Sequence, residues 1–365
     1  MGSQTVPKLP VVDLTKEDLK PGTSSWLGTS NEVLRALEEY GCFVAVYDKL
    51  PLKLHNSMLE SLEGLFDLPA ETKFHNTANE EGITYYGAAS EGFLFENATT
   101  LEGTQRFTNV LWPSTGNDTF CETTLLFSKK LEELVEMVMR MVFESYGLDK
   151  YYYESQIASS TYHMALAKIQ PPKMNEKMGI GSHSDKSILS IVDQNHVTSL
   201  EIQTKDGRWI TFEPSPSHLV VMAGEAFMAW SNGRIHCPSH VHGIITTTPP
   251  QENGKEEVNY SAALLSYMKG MVQPPDKLVD DEHPLLFKPF SNLGFLKYWI
   301  QEVAKNPKTL VPYPLILDSD IFEDNPGLAE ITSASRPGHV APQLTHRRHL
   351  GHVLGLRKYI PTTAP

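Results

Sequence analysis

The residues most able to do chemistry sit together in Gly181-Ser182-His183-Ser184-Asp185. On an extended strand, residues i and i+2 share a face, so His183 and Asp185 are expected to point the same way. A neutral imidazole and a carboxylate on one face chelate a divalent metal. One further histidine completes a facial two-histidine, one-carboxylate set whose remaining positions stay open to dioxygen and substrate. His236, His240 and His242 are the candidates for that third ligand, with His240 and His242 sharing a face. In a chain with fourteen histidines an isolated His-x-Asp is weak, and a solvated histidine beside a turn carboxylate is the plainer account. The same donors also suit zinc in a hydrolase, but no HExxH pattern supplies a separate base. Cys237 is near enough in sequence to be considered as a thiolate ligand, although a small buried residue is the simpler role.

These residues need a scaffold. From about residue 160 the pattern becomes short apolar runs near 161–169, 188–192, 199–203, 208–212, 218–222, 226–230, 239–247 and 260–268. Turn residues separate them, among them Lys205-Asp-Gly207 and Ser231-Asn-Gly233, and Asp-Gly and Asn-Gly pairs favour hairpins. Eight strands at this spacing predict a jelly roll, the double-stranded β-helix. The N-terminal third reads as mixed and mostly helical. Leu9–Leu14 and Cys42–Val46 are strand candidates, with helices expected from Asn31 to Gly41, over Leu52–Phe66 and from Thr124 to Tyr146. Leu293–Val303 returns to a helical pattern. The expected class is α+β, with domains at 1–150 (N-terminal, mostly helical) and 151–305 (jelly roll), then a linker and basic tail over 306–365.

Several motifs occur in one order: His183-Ser-Asp185, Lys205-Asp-Gly-Arg-Trp-Ile210, Val220-Val-Met-Ala-Gly224 and Trp230-Ser-Asn-Gly-Arg234. Upstream lie Leu9-Pro-Val-Val-Asp-Leu14, Gly41-Cys-Phe-Val44 and Phe66-Asp-Leu-Pro-Ala-Glu-Thr-Lys73. Together they resemble the plant 2-oxoglutarate- and Fe(II)-dependent dioxygenases, most of all the AOP-like branch, over roughly residues 8–305. The resemblance implies Fe(II) held by His183, Asp185 and His240, because the family places its distal histidine six residues after the arginine of the Asn-Gly-Arg turn. His242 is the reserve. It also implies 2-oxoglutarate and dioxygen as cosubstrates, and hydroxylation, desaturation or dealkylation of a small plant specialised metabolite. Tyr85-Tyr86-Gly87 and Gly92-Phe-Leu-Phe95 are aromatic loop positions where such a substrate could lie, or else ordinary core.

The chain departs from the family's pattern where the far carboxylate of 2-oxoglutarate is held. An Arg-x-Ser pair is expected there, and the chain has Asn259-Tyr260-Ser261. A guanidinium gives a carboxylate two parallel charge-assisted hydrogen bonds, which asparagine cannot replace. A tyrosine expected near the start of the barrel is missing from Ala167-Lys-Ile-Gln170, and Val241 stands where an arginine usually follows the distal histidine. Lys168 or Lys255 could supply the charge from another direction. Alternatively the chain binds iron but performs a redox-neutral cyclisation or isomerisation, or only binds a metabolite.

Composition narrows the rest. The 365 residues carry a net charge of −13, with 40% hydrophobic and 21% charged residues, as folded globular proteins do. An acidic body disfavours nucleic-acid binding. Cations concentrate at the end, where Arg336, Arg347, Arg348, Arg357 and Lys358 occur without any acidic residue after 330. Cys42, Cys121 and Cys237 are scattered and form neither a disulfide framework nor a CxxC knuckle. With no long apolar run and no secretory N-terminus, the expectation is a cytoplasmic protein that meets a small molecule and no membrane. No Gly-rich phosphate loop is present.

Overall fold

The computed structural model describes residues 8–78, 80–87, 90–171, 179–244 and 257–305. Lys255 and the basic tail lie outside the described residues. In chain order the elements are β1 (Val11–Asp13), α1 (Ser24–Glu39), β2 (Cys42–Val46), α2 (Leu52–Phe66), α3 (Ala70–Thr77), β3 (Ile83–Gly87), β4 (Ser90–Phe95), α4 (Leu101–Leu111), α5 (Asp118–Ser145) and α6 (Lys150–Ala158). There follow β5 (Ser160–Ile169), β6 (Ile180–His183), β7 (Leu189–Gln194), β8 (Leu200–Gln203), β9 (Trp209–Thr211), β10 (His218–Ala223), α7 (Glu225–Trp230), β11 (His240–His242), β12 (Asn259–Met268), β13 (Met271–Val272), β14 (Phe290–Ser291) and α8 (Asn292–Lys305).

The strands build an α+β jelly roll. A major sheet runs β1-β2-β10-β7-β12-β5-β4-β3 and a minor sheet runs β6-β11-β8-β9. Strands from 1–150 and from 151–305 therefore share one sheet: β2 pairs with β10, and β4 pairs with β5. Between the two sheets lies a core of Val44, Val192, Leu200, Ile202, Ile210, Val220 and Met222. A larger core fills the space between the outer face of the major sheet and the helices, with Leu131, Leu134, Val135, Val138 and Val142 of α5 at its centre. Period-two alternation sorts β12 cleanly. Ala262, Leu264 and Met268 join the outer core, so Asn259, Ser261, Ala263, Leu265 and Tyr267 face the barrel interior. Their partners Ile169, Ala167, Ala165, His163 and Thr161 on β5 face inward with them.

Local chemistry fixes several boundaries differently from the sequence expectation. The first helix starts at Ser24 because the Thr23 hydroxyl accepts from the Trp26 amide at 3.1 Å. The long helix begins at Asp118, not Thr124, because Asn117 caps it, its side-chain oxygen accepting from the Phe120 amide at 3.0 Å. Residues 226–230 were expected as a strand and form helix α7. The buried residues Ala226, Phe227, Ala229 and Trp230 follow helical spacing, which a run this short does not distinguish from a strand. Tyr85–Gly87 and Gly92–Phe95, expected in loops, lie in the paired strands β3 and β4.

Candidate metal centre

The minor sheet carries the histidines. On β11, His240 pairs with His183 at the end of β6 and with Ile202 on β8. His242 pairs with Ile180, so the ladder slips between the two histidines. That slip is a local irregularity of the kind that re-aims side chains beside functional sites. Asp185 lies past the end of β6, in the turn that follows it, and not on the same strand as His183 as the spacing suggested. The turn still delivers the carboxylate. Its Oδ1 is 3.8 Å from His183 Nε2 and 3.7 Å from His240 Nε2. Two donors bound to one ion at about 2.1 Å each stand at most about 4.2 Å apart, so both separations fit a shared metal. The ring nitrogens of His183, His240 and His242 also gather, their offered atoms all within 4.8 Å of one another. The short approach to Asp185 belongs to His183 and His240, while His242 stands beside them as a further imidazole. His236 is not part of this group.

The protonation states suit a metal. His183 Nδ1–H donates to the Gly181 carbonyl at 2.8 Å, which leaves the Nε2 lone pair free. Burial pushes His240 well below the ordinary histidine range, with the His183 ring adding to the effect. Burial and the two neighbouring histidines do the same to His242. His240 and His242 are therefore neutral near pH 7, the form that ligates. Cys237 goes the other way. Desolvation raises its thiol well above the usual range, helped by the Glu225 and Asp185 carboxylates, and it stays protonated rather than offering a thiolate.

A clamp behind the turn was not anticipated from sequence. Lys186, 5% exposed, pairs with Glu225 at the start of α7 and donates to the Ser184 carbonyl at 2.9 Å. Ser184 Oγ donates to the same Glu225 carboxylate. The Glu225 amide donates to the Asp185 carbonyl at 2.8 Å, and Asn292 Nδ2 donates to the Lys186 carbonyl at 2.8 Å. Gly224 permits the approach, since a β-carbon there would lie 2.1 Å from the Ser187 carbonyl oxygen. The distal side is anchored similarly. Gly41, at φ +73°, ends α1 beneath residue 236, whose amide donates to the Leu37 carbonyl at 3.0 Å.

The remaining sequence candidates divide by face. Asn259 and Ser261 face inward and are buried. Lys168 does not join them. It pairs with Tyr260 across β5 and β12, and period two turns it to the outer face, where its ammonium lies 6.0 Å from the Tyr260 ring centre. Of the aromatic candidates, Phe93 and Phe95 are outer core, which is packing. Tyr86 lies in the inward row Tyr86–Gly92–Ala167–Ser261, its ring so close over Gly92 that a β-carbon there would meet the phenol oxygen at 2.1 Å. Two inward residues escaped sequence reasoning. The rings of His163 and Tyr267 pack at a 40° tilt with centres 4.6 Å apart. Burial lowers His163 to about 4, so it is a neutral imidazole, and its Nδ1 has no hydrogen-bond partner among the described residues. Inward alternation on two strands is the signal that could have found them.

Comparison with known proteins agrees with this geometry. The 2OG-Fe(II) oxygenase superfamily pattern matches residues 157–265, and the N-terminal pattern described as non-haem dioxygenase in morphine synthesis matches residues 9–102. A probable 2-oxoglutarate-dependent dioxygenase AOP1 of Arabidopsis thaliana is 40% identical over 308 residues, covering 82% of this chain and 98% of that protein. The 2-oxoglutarate-dependent dioxygenase AOP3 of the same plant is 28% identical, covering 85% of this chain and 98% of that one. The crystal structure of a rice dioxygenase for auxin oxidation shares the fold, with a TM-score of 0.68 at 22% identity over 81% of this chain and 96% of that one. Fe(II) and 2-oxoglutarate are the cofactors of such enzymes. The chain belongs to the 2-oxoglutarate–Fe(II) oxygenase family, in its AOP-like branch.

Proposed function

We propose that the chain is a non-haem iron oxygenase that hydroxylates, desaturates or dealkylates a small plant specialised metabolite. The observation that carries this reading is the convergence of Asp185 Oδ1 on the Nε2 atoms of His183 and His240 at 3.8 and 3.7 Å. The donor set fits Fe(II): two neutral imidazoles and one carboxylate, with positions left open. Bound iron supplies the dioxygen chemistry. The chain's own residues supply the rest. The Gly181 carbonyl holds the His183 tautomer, the Lys186–Glu225 clamp holds the Asp185 turn, and the buried minor-sheet face around His240 limits water. The metabolite would lie against the inner face of the major sheet, where Tyr86, His163 and Tyr267 give aromatic surface with a few polar atoms. Residues 151–305 would carry the centre and 1–150 the helical wall behind it.

The fit is poorer for the far carboxylate of 2-oxoglutarate, since no cation among the described residues stands on the inward face beside Asn259. That favours a second reading, an iron-binding relative that performs a redox-neutral reaction or only binds a metabolite. One Arabidopsis relative, 28% identical, is itself described as a probable inactive 2-oxoglutarate-dependent dioxygenase AOP2.

The test is anaerobic titration with Fe(II), followed by exposure to dioxygen with fractionated plant metabolites. With a 2-oxo acid supplied as the electron-donating cosubstrate, the expected result is one iron per chain, lost in Asp185→Ala, with an oxidised product by mass spectrometry. Iron retained at full affinity in Asp185→Ala and His240→Ala would overturn the assignment of the centre. Iron bound without oxidation of any metabolite would favour the second reading.

A further inference from the structure

We propose that the inner end of the barrel at Asn259 selects a 2-oxo acid with an uncharged tail over 2-oxoglutarate. This rests on the iron reading above. A 2-oxo acid that chelates the metal through its keto and carboxylate oxygens extends its tail along the inward face of the major sheet. The inward positions nearest the start of β12 are Asn259 and Ser261 on that strand, Ile169 and Ala167 on β5, and Gln194 on β7. None is a cation.

The polar groups there are already committed. Asn259 is wholly buried, and its Nδ2 donates to Asn195 Oδ1 at 3.1 Å and to the Val197 carbonyl at 3.0 Å. The Val197 oxygen only accepts, so the amide orientation is set by chemistry. Both N–H groups are thereby used, and Asn259 Oδ1 remains buried with no partner among the described residues. Gln194 is tied into the same turn, its Nε2 donating to the Val197 carbonyl at 2.9 Å. Ser261 adds one hydroxyl.

Asn259 therefore has no donor left to offer, and its one uncommitted atom is an acceptor closed off from solvent. A carboxylate arriving at that end meets no uncommitted donor on Asn259 and no counter-ion among the described residues. It gives up its hydration without replacement. Lys168 lies on the outer face, and Lys186 is held by Glu225. An alkyl tail brings no charge to desolvate.

The experiment is an anaerobic titration of the full chain loaded with Fe(II), comparing 2-oxoglutarate with 2-oxohexanoate. The charge-transfer absorption that a chelated 2-oxo acid gives with Fe(II) is the readout, and iron binding is measured separately beforehand. The expected result is a Kd for 2-oxohexanoate at least tenfold below that for 2-oxoglutarate, with the order reversed in Asn259→Arg. The wild-type comparison stands whether or not that variant folds. Tighter binding of 2-oxoglutarate by the wild type would overturn the proposal. So would iron binding with no absorption band from either acid, an outcome that leaves the iron centre intact. Failure to bind iron at all would remove the reading on which the proposal rests, and the proposal with it.

Discussion

Replacing Glu225 by alanine isolates the clamp from the metal ligands it supports. Lys186 and Glu225 are 5% and 16% exposed, so the variant leaves an ammonium in a nearly closed site. Its remaining neighbours are the Ser184 carbonyl at 2.9 Å, the Ser184 hydroxyl at 3.4 Å and the rings of Phe295 and Trp299, 5.8 and 5.3 Å away. Those contacts exist before and after the change and offset nothing. Breaking a buried pair by removing one partner costs about 3–5 kcal/mol, and the residual exposure of Glu225 places this pair near the lower end of that range. The consequence reaches the metal because the clamp fixes residues 184–186 and hence the Asp185 carboxylate. Loss of a group that orients a ligand typically lowers metal affinity by about 10–100-fold.

Urea unfolding of the wild type, Glu225→Ala, Lys186→Met and the double variant measures the first effect, and Fe(II) titration the second. Each single variant should be about 3 kcal/mol less stable. The double variant should be more stable than the two losses added, with coupling of about 2 kcal/mol, as residues in direct contact show. Its iron affinity should stay reduced, because a methionine cannot hold the Ser184 carbonyl. A Glu225→Ala loss below about 1 kcal/mol, the range of exposed pairs, would refute the reasoning, as would strict additivity.

Three further outcomes are expected. His242→Val should lower Fe(II) affinity by no more than about tenfold, within the range of supporting groups, whereas His240→Val should abolish binding; equal losses would show that the two histidines ligate alike. Gly92→Ala places a β-carbon 2.1 Å from the Tyr86 hydroxyl, so the ring must move; KM for the metabolite should rise while Tm changes little, and an unchanged KM would remove Tyr86 from the substrate wall. His55 on α2 bonds Asp193 on β7 at 2.7 Å, and that bond raises His55 above 6.5 while burial raises Asp193. The native state then holds the shared proton more tightly than the unfolded chain does, so this stability is fully present below pH 6.5 and declines as pH rises through the folded value; Tm against pH should flatten over that window in His55→Phe.

Much of the fold was legible because alternation and turn chemistry act locally. The run 260–268, read from its apolar pattern, is β12, and the Lys205-Asp-Gly207 turn does join β8 to β9. The failures share a cause. Residues 226–230 are too few for periodicity to choose between helix and strand, and only their packing beneath the clamp decides. The face of Lys168 depends on the β5–β12 register, which no local pattern specifies. The partnership of Lys186 with Glu225 and the ring contact of His163 with Tyr267 are likewise products of register and topology.

The two ends of the barrel carry different information about the reaction. At the iron end, the donors, the tautomer-fixing Gly181 carbonyl and the clamp form one consistent set. At the far end, Asn259 stands where the resemblance to the family implies an arginine, and the difference is one of donors as well as of charge. A guanidinium has five N–H donors, enough to satisfy Asn195 Oδ1 and the Val197 carbonyl and still meet a carboxylate with two parallel bonds. Asparagine has two donors, and both are used in closing the turn between β7 and β8. A lysine reaching in from elsewhere restores charge but not the paired donors, and Asn259 would still have no free donor to add. The residue that closes the turn is thus the residue that sets what the pocket accepts, which is why binding of the two acids distinguishes the chain's chemistry more sharply than the iron site does.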